Sequence, residues 1–91
     1  MTVLVLPADL TRAQASACLR MLVQGLRAEA GPTVEVDASA LGQFDSAALA
    51  VLLEFRRESL ALGKRLVIRA MPEPLRDLAT LYGIAELLPA S

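Results

Sequence analysis

The sequence predicts a single α/β domain over residues 1–91, with three helices covering a small mixed or parallel sheet of about four strands. Short runs of aliphatic and β-branched residues alternate along the chain with longer segments of helical periodicity. The connections between these segments are short and rich in Gly and Pro, which is typical of layered α/β folds with right-handed crossovers. A hydrophobic content of 55% over 91 residues is enough for one core and excludes a disordered chain.

The first strand and the first helix are predicted near the start of the chain. The strand covers Thr2 to Leu6, and the proline that follows ends it because it has no amide to donate. Thr11 and Gln14 have the spacing of a capping box, so the helix is expected to begin there. Gly31 is expected to supply its left-handed C-terminal cap. The apolar stripe of this helix, which should pack on the sheet, consists of Ala15, Leu19, Leu22, Val23, Leu26 and Ala30.

Residues 33–53 run from a strand through a loop of small residues into a strongly apolar second helix. Val34 and Val36 alternate with charged residues, a pattern that predicts a strand. Either Asp45 or Ser46 can cap the helix, which is predicted at about 46–62. Apolar residues occupy more than half of its circumference, so the cover is expected to come from neighbouring helices or from another protein.

The rest of the chain predicts one more strand, a short helix and an apolar tail. Gly63 closes the second helix, and the apolar centre of Arg65–Arg69 predicts a buried strand. A third helix is predicted from Pro72 to a C-terminal cap at Gly83. The segment Ile84–Leu88, which Pro89 ends, is consistent with either an edge strand or an extra turn.

The composition excludes several classes of function. The chain has no His and one Cys, so the usual catalytic constellations and metal-ligand spacings are missing, and we expect neither an enzyme nor a cofactor. A net charge of −1 argues against nucleic-acid binding, which needs a basic surface. No apolar run approaches the about 18 residues of a membrane span, and no signal peptide is recognisable. We therefore expect a cytoplasmic protein without direct membrane insertion, with Cys18 as a small buried side chain.

The polar residues around the central loop each have a structural and a functional interpretation. Asp37 and Asp45 resemble a carboxylate pair for metal binding or proton transfer, but the end of a strand and a helix cap explain them better. Ser46 has the residue type of a helix cap. A phosphate on its hydroxyl would add about two negative charges beside the helix N-terminus, where free amides favour anions, so a regulatory switch is the alternative.

Four segments carry a resemblance to a known family. They are residues 36–41 (VDASAL), 44–53 (FDSAALAVLL), 63–68 (GKRLVI) and 78–89 (LATLYGIAELLP). The first two resemble the signature stretch of STAS domains, the fold of anti-sigma-factor antagonists. The last two resemble the next strand of that fold and its closing helix and tail. The chain is identified on these segments as a member of the STAS family.

The resemblance implies a binding function and two candidate partners. Within the family, the chain is most similar to the STAS subunit of phospholipid-transport ABC complexes, which implies binding to the ATPase subunit and a position peripheral to the inner membrane. The alternative is an antagonist that binds an anti-sigma serine kinase and is released when Ser46 is phosphorylated. The residues expected at the partner contact are Phe44, Asp45, Ser46 and Leu49, with Leu81 and Tyr82 from the third helix.

The chain departs from the family pattern at two places. STAS domains usually have a strand before the one predicted at Thr2 to Leu6, and this sequence has no residues for it. The sheet edge is therefore expected to be exposed, and either a partner or a second copy in a homodimer would pair with it. The position two residues after Ser46, often Gly in the family, is Ala48 here, which a helix tolerates better.

Overall fold

The computed structural model describes residues 3–88, in which strands and helices alternate. The elements are β1 (Val3–Val5), β2 (Asp9–Leu10), α1 (Ala15–Ala28), β3 (Thr33–Asp37), β4 (Gln43–Phe44), α2 (Ser46–Ala61), β5 (Arg65–Arg69), α3 (Glu73–Leu81) and a 3-10 turn over Ala85–Leu87. The predicted α/β class with three helices is confirmed. Of the predicted segment boundaries, Thr2 and Pro89 lie outside the described residues.

The principal sheet has three strands, all parallel, in the order β1, β3, β5. Its register places Leu4, Val36 and Ile68 in one row across the sheet. The two helices α1 and α2 connect consecutive strands, as parallel pairing requires. The tail segment, for which a strand and a turn were both open, forms the 3-10 turn, so it adds no strand to the sheet. A separate parallel pair joins β2 to β4.

One hydrophobic core lies between the sheet and the helices. In β3 and β5 the alternate residues Val34, Val36, Leu66 and Ile68 are buried, as expected of strands with one covered face. The helices contribute Cys18, Leu22, Leu26, Leu52, Phe55, Leu75 and Ala79. Burial of each large aliphatic or aromatic side chain stabilises the fold by about 1.5–3 kcal/mol. Of the predicted stripe of α1, Leu22 and Leu26 are buried, and Ala15, Leu19 and Val23 pack partly buried against the core. Ala30 lies beyond the end of the helix and is exposed, so its place in the stripe was wrong.

Gly25 allows α1 to approach β1 closely. A Cβ atom at this position would lie 2.3 Å from Cδ2 of Leu4, well inside van der Waals contact. The helix therefore packs against the first strand at a distance that a larger side chain would increase. This contact fixes α1 on the same face of the sheet as the rest of the core.

The start of α1 differs from the prediction. Residues 11–14 form a turn, and the helix begins at Ala15. Gln14 still reaches back as in a capping box, since its Oε1 accepts a 2.9 Å hydrogen bond from the Thr11 amide. The Thr11 hydroxyl, however, donates to the same Oε1 atom at 2.7 Å and does not cap a helical amide. The box therefore stabilises the turn that precedes the helix.

Two of the three predicted glycine caps are confirmed. Gly63 and Gly83 have φ angles of 71° and 73°, the left-handed conformation that closes α2 and α3. Gly31 does not, and that prediction was wrong. The helix ends at Ala28 and the chain leaves it through Glu29 in an extended conformation, with the Glu29 carboxylate accepting a 3.0 Å hydrogen bond from the Gly31 amide.

Neighbouring elements of the same chain cover most of the wide apolar surface of α2. The helix contacts α1, β5 and α3, and three contact directions explain why its apolar arc is so broad. Leu60 and Leu62, at its C-terminal end, remain 53% and 52% exposed. Of the two expected covers, neighbouring elements of the same chain and another protein, the first accounts for the central part of the apolar arc.

Phe55 is fully buried in α2 and should be a major source of stability. We expect Phe55→Ala to lower the free energy of unfolding by about 3–5 kcal/mol, because the lost transfer energy adds to the cost of a cavity. Leu60→Ala, at an exposed position on the same helix, should change it by less than about 0.5 kcal/mol. Urea denaturation followed by circular dichroism measures both values, and equal effects would contradict the described packing.

Candidate functional site

The candidate site is built where β3 and β5 end, at the carboxyl edge of the parallel sheet. Ala38 continues the ladder for one more bond, because its amide donates to the Arg69 carbonyl at 2.9 Å. On the other side, the Leu6 amide donates to the Asp37 carbonyl at the same distance. The chain segments that leave β1 and β3 are therefore anchored at one edge, and the loop that leads to α2 starts from a fixed point.

A short ladder holds the loop before α2 against the segment before α1. The Ala8 carbonyl accepts hydrogen bonds from the amides of Gly42 and Gln43 at 2.8 and 3.0 Å. The pairing of β2 with β4 continues this contact. Because the two segments lead directly into helices, the ladder fixes the starts of α1 and α2 relative to each other.

Asp45 is the N-terminal cap of α2. The sequence allowed either Asp45 or Ser46 in this role, and the structure assigns it to Asp45. Its Oδ1 accepts a 2.8 Å hydrogen bond from the amide of Ala47 in the first helical turn. Its Oδ2 accepts a 3.3 Å hydrogen bond from the amide of Arg12, thirty-three positions earlier in the chain. One carboxylate therefore caps the helix and connects it to the turn before α1.

Ser46 is the first residue of α2 and is exposed. Across residues 3–88 its hydroxyl has no hydrogen-bond partner, so its proton and lone pairs face solvent. A phosphate there would be next to the positive end of the helix dipole and also next to the Asp45 carboxylate. The two anions would compete for the same helical amides, which makes this position sensitive to modification.

Asp37 accepts a 2.9 Å hydrogen bond from the Ser39 amide at the end of β3. This bond, a second one from the Ser39 side chain and the nearby Arg69 guanidinium lower the pKa of the Asp37 carboxyl. Nε of Arg69 lies 3.6 Å from Oε1 of Glu35. Asp37 and Asp45 thus accept from separate amides, and residues 3–88 hold no group of three acidic, Cys or His side chains placed to bind a metal ion.

The residues predicted for partner contact fall into exposed and buried sets. Asp45 and Ser46 are exposed, and Phe44 is partly buried against the core. The expectation for Leu49 was wrong, because its side chain is only 2% exposed and packs in the core. Membership of the wide apolar arc of α2 does not tell a side chain buried in the core from one exposed to solvent. A substitution of Leu49 would therefore lower the stability of the domain and would not test a surface contact directly.

The third helix presents two large apolar side chains to solvent. Leu81 is 78% and Tyr82 is 57% exposed at the end of α3. Because α2 and α3 contact each other, these residues and Ser46 lie on adjacent helices. No hydrogen bond joins them to the start of α2 in the described part of the chain, so they form a second, separate part of the candidate surface.

Several features of the site carry no recognisable sequence signal. The amide of Arg12 and the carbonyl of Ala8 act through the backbone, which residue identity does not encode. Ala70 follows β5 with a φ angle of 56°, a left-handed conformation that costs a residue with a Cβ about 1–2 kcal/mol. A glycine at position 70 would have been the ordinary sequence signal for this turn.

Cys18 is buried as predicted, and burial raises the pKa of its thiol.

Comparison with known protein families identifies a family for this chain. The family model described as "Mlab, STAS domain" matches residues 1–89. No curated protein matches the chain at a significant level. None of the helices in residues 3–88 is both long enough and apolar enough to span a bilayer.

The double role of Asp45 makes its replacement measurable. We expect Asp45→Ala to lower the free energy of unfolding by about 0.5–2 kcal/mol, because the α2 cap and the bond to the Arg12 amide are lost together. Ser46→Ala removes a hydroxyl without a partner and should stay within about 0.5 kcal/mol of wild type. Chemical denaturation of both variants tests the assignment, and the reverse order would make Ser46 the cap.

The lowered pKa of Asp37 predicts a pH dependence with a definite sign. At pH above the ordinary carboxyl pKa of 3.8, the ionised form of Asp37 stabilises the fold. This contribution is lost as the pH falls through the lower pKa of Asp37 in the folded state. We expect Asp37→Asn to be less stable than wild type at neutral pH, with the difference shrinking towards zero in acid. Urea denaturation at several pH values measures it, and a difference that stays constant into acid would contradict it.

Proposed function

The chain belongs to the STAS-domain family, and on that premise we propose that it is an MlaB-type subunit of a phospholipid-transporting ABC complex. STAS domains are generally binding domains without catalytic activity. In this proposal the protein binds the ATPase subunit and supports its assembly and activity in the maintenance of outer-membrane lipid asymmetry. It is cytoplasmic and reaches the inner membrane through this partner.

The observation that carries the proposal is the exposure of Leu81 and Tyr82 at the end of α3. We define the docking surface as Asp45, Ser46, Leu81 and Tyr82. Large apolar and aromatic side chains at 78% and 57% exposure are costly to leave in water and are typical anchors of protein interfaces. Asp45 and Ser46, at the start of α2, form the separate polar part of the docking surface and offer hydrogen-bonding groups to a partner.

The description of the matching family model supports the choice of partner. It names Mlab together with the STAS domain and covers residues 1–89. The exposed Leu81 and Tyr82 also lie within the segment 78–89, on which the resemblance to the transport subunit rests. The family match therefore supports the choice of partner, and the exposure supports the end of α3 as a contact.

Substitutions in the docking surface should weaken binding without unfolding the domain. We expect Ser46→Glu and Leu81→Asp each to weaken binding to the ATPase of the same cells at least about tenfold, because each places a charge into the proposed contact. Ser16→Glu is the matched control, since Ser16 is also an exposed serine in the first turn of a helix. Isothermal titration calorimetry gives the affinities, and thermal melting verifies folding.

The same experiment defines failure of the proposal. Wild-type affinity in both folded variants would remove the docking surface from the contact. Absence of any binding between the wild-type chain and the ATPase would remove the transport function itself.

The free hydroxyl of Ser46 favours a second candidate, the anti-sigma-factor antagonist. A kinase needs an exposed hydroxyl without competing hydrogen bonds, and Ser46 satisfies this requirement. We expect a serine kinase of the anti-sigma class to add one phosphate to the wild-type chain and none to Ser46→Ala, as measured by intact-protein mass spectrometry. Phosphate transfer at Ser46 together with release of the bound kinase would support this function over transport.

A further inference from the structure

We propose that two copies of this chain associate through the outer edge of β1, which extends the sheet across a two-fold axis. The edge surface is defined as Val3 and Val5 of β1 together with Ala17 and Met21 of α1. It is separate from the docking surface on α2 and α3, so the inference stands independently of the proposed ATPase partner.

The backbone of β1 offers unpaired hydrogen-bonding groups at this edge. In the described chain β1 pairs with β3 alone, so its other side has no strand. The Leu6 amide points to β3, where it bonds to Asp37, and the backbone direction alternates along a strand. Leu4 therefore also points to β3, and the N–H and C=O groups of Val3 and Val5 point outward.

The side chains at this edge lack the features that normally keep sheet edges apart. Val3 and Val5 are 37% and 53% exposed on the open face, and β1 contains no charge, proline or bulge. Natural edge strands commonly use such features to prevent pairing with another chain. The edge of β1 is therefore open to a further strand.

On the covered face, α1 presents an apolar flank beside the same edge. The contact between Gly25 and Leu4 places this side of the helix against β1. Helical spacing puts Ala17 and Met21 on that side, and Met21 is 49% exposed. A concavity of about 240 Å³ lies there, and its lining carries no charged side chain; it is formed by Pro7, Gln14, Ala17, Cys18 and Met21.

The distribution of charge on α1 favours a second copy of the chain as the partner that covers the edge surface. The two arginines of α1, Arg20 and Arg27, line a different concavity, which shares no residue with the apolar one. When two edge surfaces meet, these cations lie on flanks that turn away from the axis. The flanks formed by Ala17 and Met21 then face each other, and because no charged side chain lines them, no like charges are brought together there.

A two-fold axis at Leu4 satisfies every outward group of β1. In an antiparallel arrangement centred on this residue, Val3 of one copy lies opposite Val5 of the other. Because both residues direct their N–H and C=O groups outward, each Val3 and Val5 pair exchanges both hydrogen bonds, as in a hydrogen-bonded antiparallel pair. The two open faces then continue as one sheet surface, and both α1 helices lie on the opposite side.

The oligomeric state of the full chain tests the proposal. Sedimentation velocity over rising concentration should show a species of twice the 9.7 kDa monomer. Val5→Lys should shift the chain to monomer, because a charged edge residue opposes strand pairing. Leu60→Lys is the matched control, since Leu60 is as exposed as Val5, at 53%, but lies on α2. It should leave the dimer intact.

Cysteine cross-linking tests the register. Val3 and Val5 of opposite copies would have Cα atoms about 5.5 Å apart, which suits a disulfide. An oxidised mixture of Val3→Cys and Val5→Cys proteins should give a covalent dimer, whereas each protein alone should give much less.

Three results would overturn the proposal. They are a monomeric wild type at all concentrations, equal dissociation by Val5→Lys and Leu60→Lys, and efficient cross-linking of Val5→Cys with itself. Each is measured without the ATPase, so failure of the dimer is distinguishable from failure of the proposed transport function.

Discussion

The structure depends on β3, the strand that is hydrogen-bonded on both sides. It pairs with β1 and β5 in parallel, so each connection must return across the sheet and requires a helix. The contact between Leu4 and Gly25 fixes α1 on the face where Val34 and Val36 are buried. Because the two crossover helices α1 and α2 follow from this arrangement, the central strand determines which face of the sheet they cover.

The carboxyl end of β3 also determines the geometry of the candidate site. The short ladder between Ala8 and residues 42–43 brings the starts of α1 and α2 together. Asp45 completes this connection by accepting hydrogen bonds from Ala47 and Arg12. The loop is therefore anchored on both sides, and Ser46 is held at a defined exposed position without needing bonds of its own. A rigid loop that presents a free hydroxyl is well suited to recognition by a partner.

Local sequence patterns predicted the elements well and predicted tertiary contacts less well. Helix α2, the strand Arg65–Arg69 and the caps at Gly63 and Gly83 follow from periodicity and glycine chemistry, which act within a few residues. The strands β2 and β4 have two residues each, too few for any periodicity. The Gly31 cap was wrong because the Glu29 carboxylate supplied another way to end the helix. The Asp45 bond to Arg12 depends on backbone atoms far apart in sequence.

The candidate site shows why a broad apolar arc does not identify a binding surface. Leu49 belongs to the broad arc of α2, yet it is covered because α1, β5 and α3 all contact that helix. Leu81 belongs to the short helix α3 and is exposed, since buried residues of that helix such as Leu75 already satisfy its one covered side. The number of neighbours around a helix, which local sequence does not encode, decides how much of its apolar surface is left. Exposed apolar residues therefore become informative only after the packing is known, and among those exposed here are residues at the end of α3 and at the edge of β1.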